Sequence, residues 1–261
     1  METWRQRKAS KSAAVYIPIS ALAIVFLTIM GLSSFLRVVD IEVIGVSRYS
    51  VNEIIMVSGI SPGDGLLFLD TEAAENRIIA AMPFVRNASI TRNMPDGIVI
   101  EITESSPIAY VESYDEFFII DSNGRLLERR ARADSSLIEI RGLNPLEVSD
   151  GDMLRAQQGE ETELRYVRDI LAAFEREDIY SEVSYLDVSH ITQTYFRYMG
   201  RFNVILGEPS VIEGVPGDLN HKLSLLDGAV EKVNNDFGIT GVARINISSP
   251  SSGVVINARA Q

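Results

Sequence analysis

With 36 acidic against 24 basic side chains, a formal net charge of −12 and no cysteine in 261 residues, this chain is ill suited to nucleic acid or anionic lipid headgroups. The same composition excludes disulfides, thiol catalysis and cysteine-ligated metals. Charge is unevenly placed. Arg5, Arg7, Lys8 and Lys11 oppose only Glu2 at the start, so the remainder carries the whole negative excess.

From Ser12 to Leu36, 25 residues pass without Asp, Glu, Lys or Arg. A helix of that length reaches about 37 Å, enough to cross a hydrocarbon core of about 30 Å. Pro18 stands near its beginning, where proline costs a helix least. A cleaved signal peptide would have an apolar region of only about 7–15 residues, so an uncleaved anchor over residues 13–36 is expected. Lys and Arg near a span stay on the cytoplasmic side. Residues 1–12 are then a cytoplasmic tail, and the body from residue 37 onward is extracytoplasmic.

Val39 to Val43 alternates apolar and acidic residues, the period of a half-buried strand, and Gly45 ends it. Ser50-Val51-Asn52-Glu53 reads as a capping box opening a short helix that Gly59 stops. The loop Ser61 to Gly65 leads into a strand-like Leu66 to Leu69, and a second helix runs from Glu72 to Met82, ended by Pro83. Ala88 to Arg92 and Ile98 to Thr103 are strands joined by the turn Asn93-Met94-Pro95-Asp96-Gly97, with Ile98, Ile100 and Ile102 on one face. The order β, α, α, β, β makes a compact α+β unit.

Beyond Pro107 strands dominate. Asn123-Gly124 between Phe117–Ile120 and Arg125–Leu127 is a strong hairpin signal. Leu137 to Ile140 and Val183 to Val188 read as strands around a helix from Glu160 to Arg176, striped by Leu164, Val167, Ile170, Leu171 and Phe174. Tyr195 to Tyr198 and Phe202 to Leu206 form a second hairpin. One continuous helix is predicted from Asp218 to Phe237, and strands at Val242 to Ile247 and Gly253 to Asn257 follow it.

The residues Pro83, Phe84 and Val85, then Arg92, then Pro95 and Asp96, then Ile100-Glu101-Ile102-Thr103-Glu104 and Pro107 form a progression that resembles the FtsQ/DivIB cell-division family across its POTRA domain. Ile41 to Gly45, the Gly63 to Asp70 loop and Asp121-Ser122-Asn123-Gly124 fall where that family places them. Downstream, the resemblance rests on Phe202 to Gly207, the long helix containing Lys222 and the closing strands. Val242 to Asn246 lacks the Asp that the family often carries in its penultimate strand.

The resemblance implies an α+β protein with a POTRA domain at 37–106 and a larger β-rich domain with two helices at 107–261. It implies a non-enzymatic divisome scaffold in the plasma membrane at the division septum. Its partners would be bitopic proteins of the FtsB/DivIC and FtsL types and, further, septal wall synthases. An exposed terminal strand offers unpaired N–H and C=O groups to a partner. The candidate edge residues are Arg244, Ile245, Asn246, Ile247 and Ser248, with Gly253, Val254, Val255, Ile256 and Asn257. Two alternatives remain open: a POTRA-bearing transport component that binds polypeptide by strand addition, and a membrane-tethered extracytoplasmic hydrolase.

Little in the sequence points to chemistry. His190 and His221 lack metal-ligand spacing, and no G-x-S-x-G elbow occurs. Gly63-Asp64-Gly65 is too short for a dinucleotide fingerprint. Glu160, Glu161 and Glu163 complement the dipole at a helix start. No catalytic residue, metal or cofactor is assigned.

Overall fold

The computed structural model describes residues 13–208, 217–237, 242–248 and 255–258; the expected cytoplasmic tail, residues 1–12, lies outside the described residues. The chain divides into two compact units. One comprises the residues up to Ile79 together with Asn87–Glu104, and the other comprises Ala80–Arg86 and everything from Ser105 onward.

The first unit opens with α1, Ala13–Phe35, which contains Pro18 and no charged residue. Among the described residues no helix is long and apolar enough to cross a membrane. Within α1 the described side chains run without a break only from Pro18 to Thr28, so the expected anchor rests on the sequence. A three-stranded sheet follows, ordered β1-β3-β2, from β1 (Asp40–Ile44), β2 (Val85–Asn93) and β3 (Gly97–Glu104). The outer β1 runs parallel to the central β3, with Asp40 opposite Gly97 and Ile44 opposite Glu101.

Helix α2 (Val51–Ser58) starts at the predicted capping box: Ser50 Oγ accepts from the Glu53 amide, and the Glu53 carboxylate accepts from the Ser50 amide at 2.7 Å. Gly59, at φ 70°, ends it in the left-handed conformation. Asp70 accepts from the Ala73 amide at 3.0 Å as α3 (Thr71–Ala81) begins. Ile54, Leu66, Ala74, Ile78, Ile98 and Ile100 are buried.

The strand-like run after Gly65 is not extended. Leu66 to Leu69 is a turn, with the Phe68 amide donating to the Gly65 carbonyl at 3.1 Å. The carbonyls of Leu66 and Leu69 are taken by the Arg92 guanidinium at 2.8 and 2.6 Å, so they are not offered to a neighbouring strand.

The second unit is built on a nine-stranded sheet. Its strands are β4 (Ala109–Ser113), β5 (Glu116–Ile120), β6 (Leu126–Arg130), β7 (Ile138–Arg141), β8 (Val183–Asp187), β9 (Tyr195–Tyr198), β10 (Phe202–Ile205), β11 (Ala243–Asn246) and β12 (Val255–Ala258). They are ordered β12-β11-β10-β9-β8-β7-β4-β5-β6. The pairs β4/β7, β7/β8 and β10/β11 are parallel, and each needs a crossover. Helix α4 (Glu161–Arg176) joins β7 to β8; α5 (Gly217–Ser224) and α6 (Leu226–Phe237) lie between β10 and β11.

The predicted stripe of α4, Leu164, Val167, Ile170, Leu171 and Phe174, shares one buried cluster with Phe118, Ile140, Leu186, Phe196, Val204 and Ile245 of the sheet. Leu223, Leu226, Ala229 and Val233 of α5 and α6 join it. The single helix expected over 218–237 is interrupted at Leu225. There the Leu225 amide donates to the Lys222 carbonyl, a tightened turn, while Ser224 Oγ takes the His221 carbonyl at 2.8 Å. The apolar spacing persists through the break, which is why periodicity alone misses it.

Candidate partner-binding edge of the sheet

A sheet can accept another strand only where its backbone is unpaired, and among the described residues this sheet ends at β6 and β12. The start of β6 is covered by loop backbone. The Leu126 amide donates to the Asp152 carbonyl at 2.9 Å, the Gly151 amide to the Leu126 carbonyl at 2.7 Å, and Arg125 bridges Met153. Further along β6, Arg129 lies 5.3 Å over the Phe118 ring, reaches the Val148 carbonyl and stands 3.7 Å from Asp150. Arg130 binds Glu128 and Asp134, each at 2.6 Å. Loop backbone and charge close this edge in the way sheet proteins commonly guard against unwanted pairing.

The β12 side differs. Val255–Ala258 pairs antiparallel with β11 on its inner side, and among the described residues no strand lies beyond it. Val255-Ile256-Asn257-Ala258 carries no charge. Of the candidate edge residues, Val255, Ile256 and Asn257 therefore occupy the end of the sheet, while Gly253 and Val254 lie outside the described residues.

The other candidate segment does not form an edge. Arg244, Ile245 and Asn246 belong to β11, which pairs with β10 on one side and β12 on the other. Ile247 donates its amide to the Ile205 carbonyl at 3.0 Å, and the Ser248 amide donates to Asn246 Oδ1 at 3.0 Å. Ile245 and Ile247 are buried, so a proline at Ile245 would damage the core rather than an open ladder. The strand order arises from three crossovers, which no local pattern reveals.

What positions this edge is a junction where β10 ends. The Leu206 carbonyl accepts from the buried Lys222 ammonium at 3.3 Å, and the Gly207 carbonyl accepts from Tyr166 Oη at 3.3 Å. The amides of Leu206 and Gly207 both donate to the Thr194 carbonyl. Gly207 sits at φ 74°, and a Cβ there would come within 2.7 Å of Ser248 Cβ. Glycine thus permits both the turn and the close approach of β10's exit to the end of β11.

The sheet face opposite the helices carries one register row, Tyr110, Glu139, Tyr185, Arg197, Asn203 and Arg244. Beside it Arg141 stacks 4.0 Å over Tyr185, and Tyr195 Oη donates to Asp187 at 3.0 Å. This Tyr- and Arg-rich face has a composition suited to protein contact. Strand alternation alone does not single these residues out, because each looks merely outward-facing.

The motif residues around Pro83 do not converge on a site. Pro83, Phe84, Val85 and Pro107 belong to the larger unit, where the Phe84 carbonyl accepts from the Ser105 amide at 2.8 Å. Arg92, Pro95, Asp96 and Glu104 belong to the smaller one. The Asp96 carbonyl takes the amides of Val39 and Asp40. Glu104 accepts from the Ser47 and Arg48 amides at 2.9 Å each and from Ser47 Oγ. Burial pushes its carboxyl pKa up, but these donors outweigh it and hold the group below its ordinary value.

Among the described residues no group of His, Asp and Glu is arranged to hold a metal. Glu160 accepts from the Asn144 backbone and side chain at 3.0 Å, and the Glu161 carboxylate from the Gly159 amide at 2.9 Å. These acids thus accept from loop backbone and from the Asn144 side chain.

Residues 36–105 match the POTRA domain of the FtsQ type. The chain is 24% identical over 193 residues to the cell division protein DivIB of Clostridium tetani, covering 74% of this chain and 70% of that one. It is 31% identical over 108 residues to the cell division protein FtsQ of Corynebacterium glutamicum, covering 40% of this chain and 48% of that one. It is 24% identical over 216 residues to FtsQ of Syntrophotalea carbinolica, covering 83% and 73%. Its matches thus span from about half to three quarters of these relatives' lengths. A solved extracytoplasmic domain of DivIB from Geobacillus stearothermophilus aligns with 53% of the chain at 14% identity and a TM-score of 0.29, too low to transfer any contact.

Proposed function

We propose that this member of the FtsQ/DivIB cell-division family is a non-catalytic, single-pass membrane scaffold of the divisome whose β12 edge captures a partner by strand addition. The domain limits proposed are a tail at 1–12, an anchor at 13–36, a POTRA domain at 37–106 and a β domain at 107–261. The basic tail supports a cytoplasmic N-terminus and an extracytoplasmic body at the septal membrane. The partners proposed are bitopic proteins of the FtsB/DivIC and FtsL types, linked through this chain to septal wall synthesis.

The observation carrying the reading is the asymmetry of the sheet: β6 meets loop backbone at Leu126 and carries charge, whereas among the described residues β12 ends the strand order without a charge. Neighbouring amides of a strand point to opposite sides, so of Val255→Pro and Ile256→Pro one removes a donor facing outward. That variant is expected to abolish capture of an FtsB/DivIC-type partner while its thermal transition stays that of the parent. Undiminished capture by both variants would move the interface away from β12.

A further inference from the structure

We propose that the membrane-near end of the smaller unit rests in the bilayer interface through an apolar foot, Leu67 and Phe68 with Val39 and Met94 beside them. This rests on the reading of α1 as a membrane anchor, and it adds a second, shallow contact between the folded body and the lipid.

Backbone hydrogen bonds tie two loops to the chain at the end of α1. The Leu66 amide donates to the Leu36 carbonyl at 3.0 Å, the Val38 amide to the Asp64 carbonyl at 2.9 Å, and the Gly63 amide to the Val38 carbonyl at 2.7 Å. Arg37 bridges Gly65, and its guanidinium donates to the Gly63 carbonyl at 3.2 Å. The Gly63–Leu69 loop is therefore stitched to the residues that immediately follow α1. The turn before β3 is stitched there too, because the Asp96 carbonyl takes the amides of Val39 and Asp40.

Apolar side chains stand out from these stitched segments. Phe68 is 73% exposed, Val39 68%, Met94 53% and Leu67 41%. An exposed aromatic and three exposed aliphatic or thioether groups around one chain exit are costly in water. Beside a span that continues into lipid, the interface covers them at no such cost. Arg92 fixes the loop through the Leu66 and Leu69 carbonyls, on either side of Leu67 and Phe68.

The nearby acids argue for apolar seating over charge attraction. Asp64 accepts from the Ser61 amide at 2.8 Å and Asp70 from the Ala73 amide, while Asp40 and Asp96 stay exposed. The foot is thus expected to seat equally in zwitterionic and anionic bilayers.

Depth-dependent fluorescence quenching tests this in the full chain reconstituted in phosphatidylcholine vesicles. The only tryptophan, Trp4, is first replaced in a Trp4→Phe background. Single tryptophans are then introduced as Phe68→Trp, Leu22→Trp and Ile44→Trp. Ile44 is the control, because at about 3.3 Å per residue it lies about 13 Å further along β1 than Asp40.

The proposal expects Phe68→Trp to lose emission to a lipid spin-labelled near the headgroup and to shift to the blue. Leu22→Trp should lose it to a label near the chain end, and Ile44→Trp to neither. If Phe68→Trp is quenched no more than Ile44→Trp while Leu22→Trp is quenched, the foot is overturned and the anchor stands. If Leu22→Trp is not quenched, the anchor reading fails and the foot falls with it.

Discussion

Arg86 and Glu175, 89 positions apart in the sequence, meet in the larger unit with Arg86 Nη2 3.0 Å from Glu175 Oε1. Ser122 Oγ donates to the other carboxylate oxygen at 2.6 Å, and Arg86 Nε stands 3.9 Å from Asp121. One cation thus ties the Ala80–Arg86 segment to α4 and to the Asp121-Ser122-Asn123-Gly124 turn.

Burial pushes the Glu175 carboxyl pKa up, yet the hydrogen bonds from Arg86 and Ser122 outweigh it and hold it below the ordinary glutamate value. Its folded pKa being depressed, the contribution is present above the unfolded value and is lost as pH falls through the folded one. Glu175→Gln should therefore lower stability by about 1 kcal/mol at neutral pH. The difference from the parent should close in acid, which chemical denaturation across pH measures.

Asp121 is 1% exposed and accepts from the Asn123 and Arg125 amides at 2.9 and 3.0 Å and from Ser105 Oγ at 2.8 Å. Asp121→Ala leaves these donors without their acceptor, those of Ser105 and Arg125 in buried positions, a loss of about 2–3 kcal/mol. Asp121→Asn keeps one oxygen for the two amides and should recover part of it. Denaturation midpoints of the three proteins check the order.

Gly45 ends β1 at φ 82°, and a Cβ there would fall 2.1 Å from the Ile102 carbonyl oxygen. Left-handed backbone and a hard overlap act together, so Gly45→Ala should cost about 2–4 kcal/mol. A thermal melt of the smaller unit's transition reads it.

Gly207→Ala forces the end of β10 away from Ser248. Since β11 rests on β10 and β12 on β11, partner capture should weaken more than the melting temperature falls. Equal losses in both would mean that the junction only stabilises.

Much of this was legible along the chain. Ser50 and Glu53 formed their box, Gly59 its stop, and the Asn123-Gly124 hairpin its turn, because each is decided by neighbours within a few positions. The strand-like run Leu66 to Leu69 is a turn instead, because the carbonyls of Leu66 and Leu69 answer to Arg92, 26 and 23 positions away. The interior place of Arg244 to Asn246 depends on the parallel crossover from β10, and the break at Leu225 leaves the apolar spacing intact. Lys222 was visible only as a feature of a resemblance; its bond to the Leu206 carbonyl needed the fold.

The central claim is that a partner adds to β12. A photoreactive residue placed singly at each position of 255–258 and of 126–130, in cells expressing the full chain, tests it most directly. Crosslinks to an FtsB/DivIC-type protein are predicted along 255–258 and not along 126–130. Crosslinks confined to 126–130, or equal at both edges, would contradict it.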